Sequence, residues 1–200
     1  LDGTRIPDRY PIGTLEVIRT APREKFINYY RTHYVPSQMQ LVIAGDITPE
    51  QGKAWVEKYF GSMKKDNYSF QTDRGTLKTA TETTAHWITN KEATSTEASI
   101  NIARPYVKKP DTVANRNKDI PLNVAYAMLN RRLEKMAKNA DCPFISAEGG
   151  RMDIVEAAEV DSIQTQADYK NWKPALAAIE QELRRAIEFG FNKEELAEAR

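Results

Sequence analysis

Apolar side chains along this 200-residue chain recur in two rhythms, and the changes of rhythm mark out its elements. Phe26, Tyr29, Tyr30 and His33 fall three or four residues apart, the spacing of one helical face. Thr20 stands where a side-chain oxygen can cap that helix, with Pro22 in its first turn. Pro36 ends it, because the residue before a proline resists the helical conformation. "QMQLVIAG" follows, apolar at nearly every position and bounded by Gly45, which predicts a strand buried on both faces. In "TPEQ", Thr48 can accept from the Gln51 amide while the Gln51 side chain reaches back, with proline at the first helical position. The helix so opened carries Trp55, Val56, Tyr59 and Phe60 and meets Gly61, the residue type favoured just past a helix end.

The stretch "SMKKDNYSFQTDRGTLK" lacks apolar periodicity and predicts a linker, with a domain boundary inside it. "EASINIA" then alternates Ala98, Ile100 and Ile102 against Ser99 and Asn101, a strand with one buried face. "KKPDTVANRNKD" is expected to be a loop. Leu122, Tyr126, Leu129, Leu133 and Met136 return to helical spacing. "PFISAEGG" and "EVDSIQTQA" predict antiparallel strands joined through a bend at Gly149-Gly150. Trp172, Leu176, Ile179, Leu183 and Ile187 mark a long helix ending at Gly190, and Asn192 with Glu195 starts another. The order of elements predicts an α+β fold, with helices packed on one face of a mainly antiparallel sheet. There is no internal repeat. The chain opens Leu1-Asp2-Gly3 and stops in "NKEELAEAR", the pattern of a helix beginning, so both ends are expected to be cuts in a longer protein.

Charge narrows the partners. Twenty-nine basic residues against 28 acidic ones give a formal charge of +1, without the basic excess that nucleic acid or an anionic membrane surface selects. No apolar run approaches the roughly 18 residues of a membrane span. The expected partners therefore include neither nucleic acid nor membrane. The single Cys142 cannot form an internal disulfide and is expected to be an inert, buried thiol.

The chemistry-bearing residues do not assemble into a motif. Zinc needs three or four converging His, Cys, Asp or Glu ligands at about 2 Å. His33, His86 and Cys142 have no partner at ligand spacing, and neither histidine begins H-x-x-E-H, the helical pair with its general-base glutamate. No G-x-S-x-G elbow is present, and "AGDITPEQGK" lacks the phosphate-loop pattern. Tyr29, Tyr30 and Tyr34 are expected in the core, and Arg131 and Arg132 on a solvated helix face. The site expectations are therefore no catalytic residue, no metal ligand and no assignable substrate-binding residue.

One stretch is more specific than composition. "RYPIGTLEVI", "FINYYRTHYVPSQMQLVIAGDIT" and "KYFGSM" closely resemble the insulinase/pitrilysin family of inverted zincin metallopeptidases. The matching positions are Arg9, Pro11, Ile12, Gly13 and Thr14, then Tyr34, Pro36 and Met39, then Gly45 and Asp46, then Phe60 and Gly61. The likeness extends through "AYAMLNRRLEKMAK", "PFISAEGG" and "AIEFGFNKEELAEAR", nearly the whole chain.

The resemblance implies that the zinc helix and third ligand lie before the P-I-G-T segment, outside these residues. Residues 1–63 would be the C-terminal tail of a metal-binding-type domain, 64–78 a linker, and 79–200 most of a non-catalytic domain that continues beyond the chain. Such enzymes pair homologous halves around unfolded peptides, so this piece is expected to supply wall and hinge of a substrate chamber. No cofactor is expected in it, and zinc is expected in the parent. Its partners would be the other domains of the parent chain and the parent's peptide substrate, in the periplasm or cytoplasm of a bacterium. Supportive family domains carry an Arg and a Tyr that hold the substrate carbonyl; the approximate positions here are Lys138 and Phe144, a point charge and a ring without a donor. The alternative is an inert family member acting as scaffold or partner subunit; an unrelated α+β peptide-binding module is a third.

Overall fold

The computed structural model describes residues 1–200 apart from Tyr10, Lys65, Asn67 and Arg200. Its contacts divide the chain into two compact units: Asp8–Asp73, and Leu1–Pro7 together with Arg74–Arg200.

The smaller unit carries three helices: α1 (Leu15–Thr20), α2 (Arg23–His33) and α3 (Pro49–Phe60). Thr48 and Gln51 form the reciprocal cap expected from sequence: the Gln51 amide donates to Thr48 Oγ1 at 3.2 Å, and the Thr48 amide to Gln51 Oε1 at 2.9 Å. Thr20 does not cap α2. It ends α1, donating its hydroxyl to the Glu16 carbonyl at 2.8 Å, and Pro22 precedes α2 without a side-chain cap. Thr14 starts α1 instead, accepting from the Val17 amide. Gly61 keeps a right-handed helical φ of −62°, so its freedom to go left-handed is unused.

The apolar run at 39–44 is the main departure. No strand forms there among the described residues, and Leu41 and Val42 are 52% and 78% exposed. A strand exists only when a neighbour receives its N–H and C=O groups, and none is in place.

The stretch 64–78 is tethered at both ends. Asp66 accepts from the Ser37 hydroxyl at 2.5 Å and from the Tyr68 amide at 3.0 Å. The Thr76 amide donates to the Gly3 carbonyl at 3.0 Å.

The larger unit is built on three antiparallel strands: β1 (Thr96–Pro105), β2 (Ser146–Ile154) and β3 (Ala158–Ala167). Their order is β1-β3-β2, so β3 is central, with Ile100 opposite Ile163 and Gly149 opposite Ile163 on its other side. The helices α4 (Val113–Ala137) and α5 (Trp172–Phe189) pack on one face, followed by α6 (Lys193–Glu198). Leu129 and Leu133 of α4, Ala175 and Ile179 of α5, and Ile163 and Ala167 of β3 make a single core with Phe144. Leu133 and Ile179 are wholly inaccessible, and burying a side chain of that size contributes about 1.5–3 kcal/mol.

Two boundaries differ from expectation. Helix α4 begins at Val113, where Thr112 Oγ1 accepts from the Asn115 amide, and it runs through Pro121, so much of the expected loop is helical. Its first turns face solvent, as at Val113 (75% exposed), which is why no apolar stripe announces them. Gly149-Gly150 lies inside β2, and the reversal falls at Val155 and Glu156. Gly149 lies beneath α4, where a Cβ would stand at ordinary contact distance, 3.4 Å from Leu129 Cδ2 and 3.5 Å from the Ser162 carbonyl.

Candidate functional site

The metal-capable side chains are dispersed and individually engaged. His33 Nδ1 lies 3.0 Å from the Tyr68 hydroxyl, and its ring packs edge-on against Phe70. His86 Nε2 lies 3.4 Å from Thr84 Oγ1, and Cys142 is half-buried against the core. Among the described residues no three His, Cys, Asp or Glu side chains converge on a point. The donor set of the described residues therefore does not fit zinc. Phe144, 4% exposed, is a core residue, and Lys138 donates to Glu134 at 2.8 Å.

Arg131 is half exposed, as expected for a solvated face, and bonds Glu134 at 2.9 Å. Arg132 departs from that expectation. Its side chain, 16% exposed, binds Glu195, donates to Glu182 at 3.0 Å and to the Gly190 carbonyl at 2.9 Å, and stacks on Phe191 with 4.5 Å to the ring centre. It ties α4, α5 and α6 together. Hydrogen bonds from Arg132 outweigh burial and hold the Glu195 carboxyl at about 2.

A second ionic group was not legible from spacing. On the helix-covered face of the sheet, apolar positions give way at one end to Arg104, Arg151, Glu159 and Asp161. Arg151 Nε donates to Asp161 at 2.7 Å, Arg104 also binds Asp161, and the Tyr126 hydroxyl donates to it at 2.8 Å. Burial alone would push Asp161 up, but these three donors hold its carboxyl well below the usual range. Burial, then the Asp161 bond, pushes the Tyr126 hydroxyl up to about 12. Every charge here has a partner, so the group bridges three strands and α4.

The uncovered face is different in kind. Strand alternation places Glu97, Ser99 and Asn101 of β1 beside Ser162, Gln164 and Gln166 of β3, with Ser146, Glu148 and Gly150 of β2 beyond. No arginine or lysine stands among them. Gln164 donates to Glu148 at 2.7 Å, and a shallow cavity of about 340 Å³ lies against Ser95, Glu97, Ser146, Glu148, Gln164 and Gln166. Like β1, β2 is an edge strand of the sheet. At Gly149 its backbone is already engaged: the amide donates to Asn130 Oδ1 at 2.7 Å, and Asn130 Nδ2 donates to the carbonyl at 2.9 Å. This face can meet a chain through amides and hydroxyls; it holds no nucleophile–base pair.

The family model for the peptidase M16 inactive domain matches residues 20–142. The probable zinc protease PqqL of Escherichia coli (strain K12) is 23% identical over 202 residues, covering 98% of this chain and 21% of that protein. The chain thus spans about a fifth of the length of that curated relative. The crystal structure of the periplasmic protease PqqL from Escherichia coli superposes with a TM-score of 0.79 at 19% identity, over 100% of this chain and 22% of that one. A mutant of the ferredoxin protease FusC, in complex with Arabidopsis ferredoxin, gives 0.73 at 20% identity, covering 98% and 22%. A predicted insulinase family protease from Yersinia pestis gives 0.71 at 17% identity, covering 100% and 42%.

Proposed function

Because this chain belongs to the peptidase M16 inactive-domain family, we propose that it is the non-catalytic, chamber-forming region of a larger zinc-dependent metallopeptidase. The zinc, its ligands and the general base belong to another part of the parent polypeptide, and no residue of this chain acts as catalyst. The observation that carries this reading is the match to an inactive domain in a chain whose His and Cys donors are dispersed. In this reading residues 1–63 are the end of a metal-binding-type domain, its first seven residues packed with the larger unit, 64–78 the connection, and 79–200 most of the following non-catalytic domain. The exposed apolar run at 39–44 supports that division, since such a run needs further strand and helix to cover it.

The open face of the sheet supplies chamber wall. Over the half that carries Glu97, Glu148 and Gln164 its side chains are polar, with two carboxylates and no cation, able to hydrogen-bond an unfolded polypeptide without selecting one sequence. The substrate class is peptide or unfolded protein, the immediate partners are the remaining domains of the parent, and the compartment is the periplasm, as for PqqL. Fluorogenic-peptide hydrolysis by the 200-residue chain tests the reading. No turnover above buffer is expected with zinc added, and chelator-sensitive cleavage by the purified chain overturns it. The gene upstream of Leu1 supplies the complementary test, because a parent without H-x-x-E-H would be a scaffold and not a peptidase.

A further inference from the structure

The turn between β2 and β3 is built against local preference. Val155 and Glu156 hold φ of 44° and 57°, with the Ala157 amide closing on the Ile154 carbonyl at 2.9 Å. Two central residues at positive φ make the hairpin turn that normally takes Asn-Gly, and a β-branched residue is among the worst occupants. Such an outlier persists only where its surroundings over-determine it.

The surroundings here are three side chains. Arg74 Nε donates to the Val155 carbonyl at 2.8 Å, and its guanidinium lies 3.2 Å from the Glu156 carboxylate. Lys108 Nζ meets the same carboxylate at 3.3 Å, and Asp153 Oδ1 accepts from the Glu156 amide at 2.7 Å. An Asn-Gly turn would lack the carboxylate that Arg74 and Lys108 share.

Arg74 is also where the chain returns from residues 8–73. Its carbonyl accepts from the Arg5 amide at 2.8 Å; next to it the Thr76 amide donates to Gly3 at 3.0 Å and the Lys78 amide to Asp2 at 2.9 Å. The outgoing segment (residues 2–5) and the returning segment (74–78) therefore run antiparallel, bridged at Thr4 and Gly75. They touch through two glycines: a Cβ on Gly3 would stand 2.3 Å from the Thr76 carbonyl, and one on Gly75 2.4 Å from the Gly3 carbonyl. Thr4 and Leu77 anchor the pair by burial. Arg74 thus has its main chain in this crossing and its side chain on the strained turn.

We propose that the Val155–Glu156 turn is a latch: by gripping Arg74 it keeps the crossing closed, and its release loosens the stem through which residues 8–73 are attached. The grip is ionic and solvent-facing, with the Arg74 and Glu156 side chains 39% and 35% exposed, so it can open without unpacking the core.

Amide hydrogen exchange on the 200-residue chain tests this. In Arg74→Gln, exchange at Arg5, Thr76 and Lys78 is expected to rise at least about tenfold, with Ile163 and Thr165 of β3 unchanged. Glu156→Gln should raise the same three amides by a smaller factor. Val155→Gly, which relieves the strain but keeps the carbonyl and the carboxylate, should leave them at their original rates. Wild-type rates at the crossing in Arg74→Gln overturn the latch. So does a rise spread equally over β3, which would make Arg74 a residue of general stability. Should Arg74→Gln fail to fold, the milder Glu156→Gln decides: selective loosening of the crossing supports the latch, and its absence overturns it.

Discussion

The two units use similar side chains to opposite effect. In the larger unit, Leu129, Leu133, Ile163, Ala175 and Ile179 meet in one core, and the charged residues bordering it are paired. In the smaller unit, Phe26, Tyr29, Trp55 and Tyr59 sit on well-formed helices yet remain 45–67% exposed, and among its described residues only Gly52 is buried. Side-chain caps occur in both, at α1 and α3 of the smaller unit and at α4 and α6 of the larger. What differs is the second layer: an amphipathic helix gains most of its stability from the surface that covers its apolar face. Local code makes helices, and only a covering layer turns them into a core.

That contrast can be broken by experiment. The largest effect belongs to Leu133→Ala, which empties a wholly buried site and should cost about 4 kcal/mol in denaturant unfolding. A loss below about 1 kcal/mol would mean that the core of the larger unit is no tighter than the surface of the smaller. Arg132→Ala comes next, at about 3 kcal/mol, because it takes the buried arginine from Glu195, leaves Glu182 only the exposed Arg185, and removes the tie between α4 and α6. Amides of α6 should lose protection first.

Acid should act on the larger unit through the same tie. Glu195 titrates at about 2 in the folded chain, below its ordinary 4.5, so its contribution is present above pH 4.5 and disappears as pH falls from there to about 2. The expected loss is on the order of 2 kcal/mol, and Glu195→Gln should flatten that part of the stability profile; an unchanged profile would remove Glu195 from the account. Tyr126→Phe deletes one of three donors to Asp161 and should cost about 1 kcal/mol. The smallest change is expected in the smaller unit, where Val42→Thr should move stability by less than about 0.5 kcal/mol. A cost several times larger would show that Val42 is covered in solution and that the contrast between the units is false.

Much of the local structure was legible in the residues. The Thr48–Gln51 and Asn192–Glu195 caps, the spacing of Leu129 and Leu133, and the alternation in β1 each stand where a short-range rule puts them. The misplaced features depend on what lies across space. Residues 39–44 satisfy every local rule for a strand and lack only a neighbour. Arg132 sits in "LNRRLE", where charge spacing says solvent; three acceptors from distant turns make it a buried tie. The Gly149-Gly150 pair looked like a bend because glycine permits one, whereas both residues are paired with β3 inside β2. Of the candidate site, the open polar face was not readable, since alternation says that faces differ and not which one the helices take.

The sequence by itself determined the starts of α3 and α6, the α+β class and the family, because caps, periodicity and the P-I-G-T to G-D spacing act over a few residues at a time. The tertiary structure decided which apolar faces are covered, which arginine is buried, and that a valine is held at positive φ beside Arg74. Those outcomes depend on contacts between residues up to 81 positions apart, as from Arg74 to Val155, and no short-range rule reaches that far.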